Sequence, residues 1–347
     1  MLDDLKYIHQ KDAQDALGIA ERQWQQLQHQ LEVTGDRLQV RDRIEDIVYA
    51  GMGGSALAAL LSTSWPGYNL PFEVCRQYHI PKYVSEKTLF IAVSFSGNTE
   101  ETLSALAEAE AAEAQIVTVA MGGHLEEIAK RKKYLFIKLP HAEQPRYGVL
   151  HNLKAIILIL ESSGIMAKDS GLKEMEKAAG FLRDAVMPWL PTVPAKDNPA
   201  KKLAMELAGL SPAVYAGPLL APVAYKWKIN FNENSKSVAW WNELPEFDHN
   251  EITGWTSHPI QKPYGIIELR SNLEHPRVQK RFEVGEKLLS GRRPAPHVVN
   301  IQGQTLLEQL VWAMAYGDFV TMYLGLLNGQ NPAPVDLVEK FKKTLDE

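Results

Sequence analysis

The chain has 347 residues, of which 45% are hydrophobic and 23% are charged, which is the composition of an ordinary soluble protein. Its net charge of −5 and its pI near 6.1 argue against nucleic acid as the main partner. Cys75 is the single cysteine, so disulfides within the chain and thiolate metal sites are excluded. The length predicts two domains rather than one.

The chain begins with MLDDLKYIHQKD, which is acidic and polar and unlike a signal peptide. Apolar residues then recur at near-helical spacing over residues 2–31, and they predict a leading helix on the outside of the first sheet. The longest apolar run, AIILIL at residues 155–160, is far too short to span a bilayer. Together with the single cysteine, these features predict a cytoplasmic protein.

Two strand–turn–helix units follow each other between Ile47 and Thr102. The first reads IVYAGMGGSALAAL and the second reads TLFIAVSFSGNTEETLSAL. Each turn places small hydroxyl residues and unpaired backbone N–H groups at the start of a helix, where the helix dipole favours an anion. Glycines 51, 53 and 54 let the backbone approach a ligand closely. Hydroxyl groups can donate to phosphate oxygens without adding a formal charge.

The alternative interpretation is that these turns merely cap helices, because Ser and Thr are the ordinary N-cap residues. Thr99, for example, is placed to cap the helix that follows it. The first turn also lacks the spacing of the dinucleotide fingerprint, and no Lys-Ser or Lys-Thr closes a P-loop. However, adjacent parallel strands bring their carboxyl-end loops together, which is where open α/β sheets bind ligands. Two hydroxyl turns in such positions favour a phosphate site.

The motifs GMGGSALAA and SFSGNTEETL together resemble those of the sugar isomerase (SIS) domain. That family uses a parallel α/β sandwich to hold sugar phosphates. The resemblance implies that the phosphate-binding residues are Gly54, Ser55, Ser94, Ser96 and Thr99. The strands and helices that alternate from residue 88 to residue 140 agree with a parallel, doubly wound sheet.

Pro145 and Arg146 lie in a turn between a strand and a long apolar helix. A lone arginine is often a surface charge or part of an ion pair at a helix end. Its position at the carboxyl end of a strand, beside the expected phosphate site, favours a ligand contact instead. The pair resembles the Pro-Arg of the phosphoglucose/phosphomannose isomerase branch, which implies that Arg146 steadies a developing oxyanion.

The second half of the chain repeats the strand, glycine turn and small-residue helix in SPAVYAGPLLAPVA. Here Pro218 and Leu219 replace the Gly-Ser pair, so we expect the anion cradle to be lost. We therefore predict an α/β protein with two SIS-type doubly wound parallel-sheet domains. The expected boundaries are residues 1–165 for the first domain, 166–200 for a bridging helix and linker, and 201–347 for the second.

The segment KINFNENSKSVAWWNELPEFDHNE holds the main candidates for acid–base chemistry. Glu233 lies between Asn232 and Asn234 and near two tryptophans, where partial burial would raise its pKa toward the range useful to a base. An isolated Glu is normally a solvated surface residue. The run NENSK resembles the segment that carries the catalytic glutamate in phosphoglucose isomerases, which implies that Glu233 is the base. Nearby carboxylates that rank below it are Glu243 and Glu246.

His249 follows in the same segment, where Asp248 and Glu251 could support it electrostatically. Most loop histidines are simply hydrogen-bonded, but a neutral imidazole can also accept and donate the protons that ring opening requires. The resemblance implies that His249 reaches the active site of a partner subunit, and hence that the protein is a homodimer. It also implies that a lysine of the final helix reaches the site. Lys342 fits the spacing best, and the alternatives are Lys340 and Lys343.

The resemblance covers nearly the whole chain and implies an aldose–ketose isomerase that interconverts glucose 6-phosphate and/or mannose 6-phosphate with fructose 6-phosphate through a cis-enediolate. We expect neither a cofactor nor a metal, because the sequence contains no HExxH motif, no cysteine pair and no carboxylates at ligand spacing. One alternative is a non-catalytic SIS protein that senses a phosphosugar, although such a protein would need neither Glu233 nor His249. Another alternative is an isomerase of a different phosphosugar.

Overall fold

The computed structural model describes residues 1–36, 43–256 and 263–345. The chain forms two compact units. Residues 23–180 form what we call the middle unit, and residues 1–22 together with 181–347 form the terminal unit. The first 22 residues therefore group with the C-terminal half of the chain. The domain boundaries expected at residues 165 and 200 stay a prediction.

The helices and strands alternate along most of the chain. The helices are α1 (Leu5–Lys11), α2 (Ala16–Glu21), α3 (Trp24–Gln28), α4 (Gly54–Ser64), α5 (Glu100–Ala111), α6 (Gly123–Lys132), α7 (Val149–Ser162), α8 (Ser170–Ala185), α9 (Pro199–Leu207), α10 (Ala221–Glu233), α11 (Glu251–Gly254), α12 (Pro276–Leu289), α13 (Leu306–Leu327) and α14 (Asp336–Leu345). The strands are β1 (Glu32–Thr34), β2 (Asp46–Ala50), β3 (Phe72–Cys75), β4 (Thr88–Ser94), β5 (Gln115–Ala120), β6 (Leu135–Lys138), β7 (Ser211–Ala216), β8 (Trp240–Glu243), β9 (Tyr264–Arg270) and β10 (His297–Asn300). Short 3-10 helices lie at Pro145–Tyr147, Met187–Trp189 and Glu246–His249.

The sheet of the middle unit has the strand order β1-β6-β5-β4-β2-β3. Strands β2 to β6 are parallel, and β1 pairs with β6 in the antiparallel direction at one edge. Every residue of β4 and β5 is buried, as expected for central strands covered by helices on both faces. From β2 the chain moves outward to β3 and then returns to the other side for β4. The topological switch point therefore lies between β2 and β4.

The sheet of the terminal unit has the strand order β10-β9-β7-β8, and its strands are parallel. From β7 the chain moves to β8 and then returns to the other side for β9, which repeats the path of β2, β3 and β4. Helix α13 is 22 residues long and apolar enough to cross a membrane, but 89% of its most apolar stretch is buried inside the chain. The core helix of a soluble protein has the same character. Helix α13 begins at a capping box formed by Thr305 and Glu308.

The expectation of one leading helix over residues 2–31 is wrong. Helices α1, α2 and α3 form there instead, and the first two belong to the terminal unit. The buried carboxylate of Asp12 accepts hydrogen bonds from the backbone N–H groups of Ala16 and Leu17, at 2.8 and 2.9 Å. A side chain that satisfies these N–H groups starts a new helix, so the helical pattern is broken after Lys11.

Candidate active site

The two hydroxyl turns follow β2 and β4, the parallel neighbours on either side of the switch point of the middle unit. Ser55 lies in the first turn of α4, and Thr99 occupies the N-cap position of α5. Both helices therefore direct their N-terminal N–H groups toward the carboxyl edge of the same sheet. This arrangement suits an anionic ligand, because those N–H groups have no partner within their own helix.

Helix α4 starts without a side-chain cap. Gly53 occupies its N-cap position with φ of +51°, a backbone conformation that favours glycine. The next residue, Gly54, packs directly on the Pro-Arg turn. A Cβ atom on Gly54 would lie 2.8 Å from the backbone nitrogen of Arg146 and 2.8 Å from the carbonyl carbon of Pro145. The structure thus brings Gly54 and Arg146 together, as the sequence suggested, and only a glycine leaves room for that contact.

Ser55 connects the two hydroxyl turns. Its side chain is buried, and its Oγ accepts a hydrogen bond from the backbone N–H of Phe95 at 3.2 Å. The carbonyl of Ser55 also accepts a hydrogen bond from the Tyr49 hydroxyl at 2.7 Å. The start of α4 is therefore held against the turn that follows β4, so the N-terminal ends of α4 and α5 lie at one edge of the sheet.

Ser94 is fully buried, and its hydroxyl organises the second turn. Its Oγ accepts hydrogen bonds from the N–H groups of Gly97 and Thr99, at 3.0 and 3.3 Å, and lies 2.7 Å from the Thr99 hydroxyl. Because a serine oxygen has two lone pairs and one hydrogen, Ser94 must donate to Thr99. The hydroxyl hydrogen of Thr99 is then available to a ligand oxygen.

Thr99 and Ser96 both belong to the second turn, and the structure places their side chains differently. The expectation that Thr99 caps α5 through its side chain is wrong, because its hydroxyl is engaged with Ser94 and makes no cap hydrogen bond. Ser96 is exposed, and its Oγ accepts a hydrogen bond from the N–H of Asn98 at 3.2 Å. The roles of both residues toward phosphate stay predictions.

Arg146 is 2% exposed, which is unusual for a charged side chain. Its Nη2 donates to the hydroxyl of Tyr147 at 3.1 Å, and its guanidinium carbon lies 4.5 Å from the centre of that ring. The Tyr147 carbonyl accepts a hydrogen bond from the side-chain amide of Gln26 at 2.6 Å. The guanidinium is therefore held in one orientation, which suits a group that stabilises a developing negative charge.

In the terminal unit, Glu233 is the last residue of α10 and is half-buried. Buried polar contacts hold this end of α10 on α13. The Asp318 carboxylate accepts hydrogen bonds from the Lys226 ammonium and the Asn230 amide, and both charged side chains are almost completely buried. Breaking such a pair would leave an uncompensated buried charge, so the contact fixes the register of the two helices. The tryptophans expected near Glu233 lie on β8 with exposed side chains.

The rival carboxylate Glu243 ends β8. Its partial burial raises the pKa of its carboxyl group, and the charge of Glu246 adds to that effect. Burial disfavours the charged form of a carboxyl group, which is the usual way to bring it toward the range of a base. Glu243 is therefore the comparison residue for any test of Glu233.

His249 is exposed at the end of the 3-10 helix Glu246–His249. Both neighbouring carboxylates that the sequence suggested as its support bind other groups. Asp248 accepts a hydrogen bond from Arg281 at 2.8 Å, and Glu251 accepts hydrogen bonds from the Tyr215 hydroxyl and the Asn242 amide. The imidazole of His249 is therefore accessible at the surface of the terminal unit.

Lys342 lies on α14, in which the described residues are exposed. Its ammonium forms an ion pair with Glu339 at 2.9 Å, one turn earlier on the same helix. A pair of this kind between exposed side chains contributes little to stability and is easily exchanged for another partner. The structure therefore leaves Lys342 available on the surface of the terminal unit.

The first turn of α10 contains a feature that the sequence analysis missed. The buried carboxylate of Glu274 accepts the N–H of Leu219 at 2.8 Å and also the N–H of Leu220, just before α10 begins. A Cβ atom on Gly217 would lie 2.4 Å from a carboxylate oxygen of Glu274, so the glycine makes room for it. Burial raises the pKa of Glu274, while the N–H groups oppose that shift. The N–H groups at the start of α10 are therefore bound by a carboxylate of the protein itself.

The sequence of the terminal unit matches the model of a known protein family. Residues 196–345 match the model of the bacterial phosphoglucose isomerase C-terminal SIS domain. The bifunctional phosphoglucose/phosphomannose isomerase of Caldicellulosiruptor bescii is 32% identical over 331 residues, which cover 93% of this chain and 96% of that protein. The protein of the same name from Aquifex aeolicus is 30% identical over 302 residues, which cover 86% of this chain and 90% of that protein. The chain belongs to the bifunctional phosphoglucose/phosphomannose isomerase family.

The expectation of an isomerase built from SIS domains is thus confirmed, both for the family and for the α/β fold with parallel sheets. The crystal structure of a glucose-6-phosphate isomerase-like protein from Thermus thermophilus has a TM-score of 0.67 at 19% identity, covering 99% of this chain and 98% of that one. At that identity the likeness shows the fold alone. As in other α/β proteins, the site of this family member is expected at the carboxyl edge of its sheets.

Proposed function

We propose that this chain interconverts glucose 6-phosphate and/or mannose 6-phosphate with fructose 6-phosphate through a cis-enediolate, without a metal. The observation that carries the proposal is the pair of hydroxyl turns on either side of the β2–β4 switch point. Membership of the phosphoglucose/phosphomannose isomerase family supports the two aldose substrates. In the described residues, no group of three or more His, Cys, Asp or Glu side chains is arranged to hold a metal ion.

The proposed phosphate site consists of Gly54, Ser55, Ser94, Ser96 and Thr99. The uncapped start of α4 and the available hydroxyl hydrogen of Thr99 support it. Hydrogen bonds to a charged oxygen are stronger than those between neutral groups, so a few hydroxyl and backbone donors suffice. The phosphate then anchors the sugar, and its binding energy helps to align the reacting carbons.

The proposed chemistry moves one proton between two adjacent carbons. Glu233 removes the proton from C2 of the open aldose, so the C2–H electrons form the C1–C2 double bond and negative charge moves to O1. Arg146 stabilises that charge. The same carboxyl group then returns the proton to C1, while the O2 proton leaves and O1 is protonated. Glucose and mannose 6-phosphates give the same enediolate, so one base could act on both.

We further propose that the protein is a cytoplasmic homodimer in which His249, with Lys342, opens the sugar ring in the partner's site. The exposed position of His249 at the end of a 3-10 helix supports this role. A neutral imidazole near pH 7 can both accept and donate a proton, as ring opening requires. Lys342 would supply a positive charge from α14, with Lys340 and Lys343 as the alternative lysines.

The test is turnover of fructose 6-phosphate by the wild-type protein in deuterated water with EDTA, followed by NMR. We expect glucose 6-phosphate, mannose 6-phosphate or both to form, with deuterium at C2, because the transferred proton exchanges with solvent on the carboxyl group. If the protein binds the sugar phosphate and forms neither product, it is a sensor or acts on a different phosphosugar. If EDTA abolishes turnover, the metal-free mechanism is wrong.

Replacing Thr99 with valine is expected to raise KM for fructose 6-phosphate by about tenfold or more, since a hydrogen bond to a charged oxygen contributes roughly 1.5–3 kcal/mol. The matched control is Thr99→Ser, which keeps the hydroxyl and should keep KM near the wild-type value. Steady-state kinetics of the two variants check this expectation. Equal KM values for the serine and valine variants would show that Thr99 does not donate to the substrate.

The shared site can be tested by mixing two inactive homodimers, Glu233→Gln and His249→Asn. If His249 acts in the partner's site, a mixed dimer contains one site with both residues intact. We expect activity to return after the subunits exchange, up to about one quarter of the wild-type value from random pairing. If mixed dimers form and activity remains absent, each site takes both residues from the same subunit.

A further inference from the structure

Lys236, the lysine of the NENSK motif, binds backbone groups from two separate parts of the terminal unit. Its ammonium donates to the carbonyl of Glu233 at the end of α10. It also donates to the carbonyls of Asn331, Pro332 and Pro334, at 3.0, 3.3 and 2.9 Å. These three residues lie between α13 and α14, in what we call the C-terminal linker (residues 331–335). One side chain therefore joins the end of α10 to the start of α14.

The contacts match the chemistry of an ammonium group. Three hydrogens can be shared among several carbonyls that converge on one point, and a positive charge is favoured at the C-terminal end of a helix such as α10. The backbone of Lys236 has φ of +56°, which a residue other than glycine adopts at some energetic cost. The turn accepts this strained conformation at the residue whose side chain reaches the linker.

Other contacts hold the same turn on α13 but do not reach the linker. The side-chain amide of Asn328 donates to the carbonyl of Ser235 at 2.9 Å. A Cβ atom on Gly325 would lie 2.5 Å from the carbonyl oxygen of Asn234, so α13 and the turn are in close contact. Without Lys236 the turn would remain in place, whereas the linker would lose the ammonium that draws its carbonyls together.

Helix α14 depends on this linker for its position. Its described side chains are exposed, including large apolar ones such as Leu337 and Phe341. The linker itself contains the buried residues Pro332 and Ala333. Where a helix lacks buried contacts of its own, the segment that precedes it decides where it starts.

We propose that Lys236 is a positioning residue that sets the place of α14, and with it Lys342, relative to Glu233. This proposal rests on the proposed function, in which Glu233 transfers the proton and Lys342 assists ring opening. Lys236 itself touches neither the substrate nor the reacting atoms. Its removal should lower kcat and leave KM almost unchanged, because the phosphate site belongs to the middle unit.

The test compares Lys236→Met, which keeps the aliphatic stem, with Lys236→Asn, which tolerates the positive φ but cannot reach the linker. We expect both to lower kcat for fructose 6-phosphate at least about tenfold, with KM within about threefold of the wild-type value. Amide hydrogen exchange over residues 335–345 should become faster in both variants, while exchange in α10 and α13 stays slow. Lys236→Arg should recover part of kcat, because a guanidinium also donates to carbonyls.

The matched control is Lys280→Met, which removes an exposed lysine of the same unit. Lys280 forms an ion pair with Glu283, one turn later on α12. It should change neither kcat nor exchange in α14. Unchanged exchange in the Lys236 variants would overturn the structural part of the proposal, and faster exchange with unchanged kcat would overturn the catalytic part. If the wild-type protein turns over no phosphosugar, the proposed function fails, but the exchange measurement still decides whether Lys236 holds α14.

Discussion

Replacing Glu233 with glutamine is expected to lower kcat for fructose 6-phosphate by at least about a hundredfold, since a positioned general base contributes 10²–10⁴-fold. Glutamine has nearly the same shape but cannot accept a proton from carbon. KM should change by less than about threefold, because the proposed phosphate site consists of hydroxyl and backbone donors of the middle unit. Steady-state kinetics in both directions, with deuterium incorporation at C2 measured by NMR, check both expectations.

The controls for this variant are Glu243→Gln and Glu246→Gln. Glu243 ends β8 and has a pKa raised by burial, which makes it the strongest competing base in the same segment. If Glu243→Gln loses activity and deuterium incorporation while Glu233→Gln keeps both, the base has been misassigned. The melting temperature of all three variants should stay near that of the wild type, because each substitution preserves the shape of the side chain.

Adding a single methyl group at Gly54 should lower kcat/KM by about a hundredfold, because a displacement of about 1 Å at a reacting site can cost that much. The new Cβ would lie 2.8 Å from backbone atoms of both Pro145 and Arg146, and backbone atoms cannot rotate out of the way. Either α4 or the Pro-Arg turn must therefore shift, which moves the proposed phosphate donors relative to the guanidinium of Arg146. Kinetics with fructose 6-phosphate and a thermal melt of Gly54→Ala test this.

The melt should also show a loss of stability of about 1–3 kcal/mol, the usual cost of overpacking. Gly180→Ala is the matched control, because Gly180 lies in α8, in the same unit, and a Cβ there would meet nothing within 4 Å. Alanine is favoured over glycine inside a helix by roughly 0.5–1 kcal/mol, so this control should be neutral or slightly more stable. If Gly54→Ala behaves like Gly180→Ala, the close contact with the Pro-Arg turn does not constrain the site.

The features that the sequence predicted correctly are local ones. A strand, a glycine-rich turn and a helix are adjacent in the chain, so the turns after β2 and β4 could be located from IVYAGMGGSALAAL and TLFIAVSFSGNTEETLSAL. We expected the two turns to lie close together because neighbouring parallel strands bring their carboxyl-end loops together, which is where open α/β sheets bind ligands. The contact between Gly54 and Arg146 does not follow from that rule, because the Pro-Arg turn comes after β6, which β5 and β4 separate from β2.

The features that the sequence did not reveal depend on contacts between distant residues. Glu274 lies 55 residues beyond Leu219, and no motif marks it as the carboxylate that fills the start of α10. Lys236 belongs to a recognised motif, but the carbonyls of the C-terminal linker that it binds lie 95 to 98 residues later. Thr99 has the sequence position of a capping residue, so its hydroxyl was expected to cap α5. In the structure the hydroxyl is hydrogen-bonded to Ser94 instead.

The terminal unit is built from two separate segments, and the whole middle unit lies between them in the sequence. Residues 1–22 therefore emerge from the ribosome long before most of their partners exist. The Tyr7 hydroxyl, for example, donates to the carbonyl of Leu326, 319 residues later, at 2.6 Å. Residues 23–180 are contiguous and can fold as soon as they are made, whereas the terminal unit must close a very long loop. Deleting residues 1–22 should therefore destabilise the terminal unit, which carries Glu233, and leave the middle unit folded, although the middle unit is nearer to the deletion in sequence.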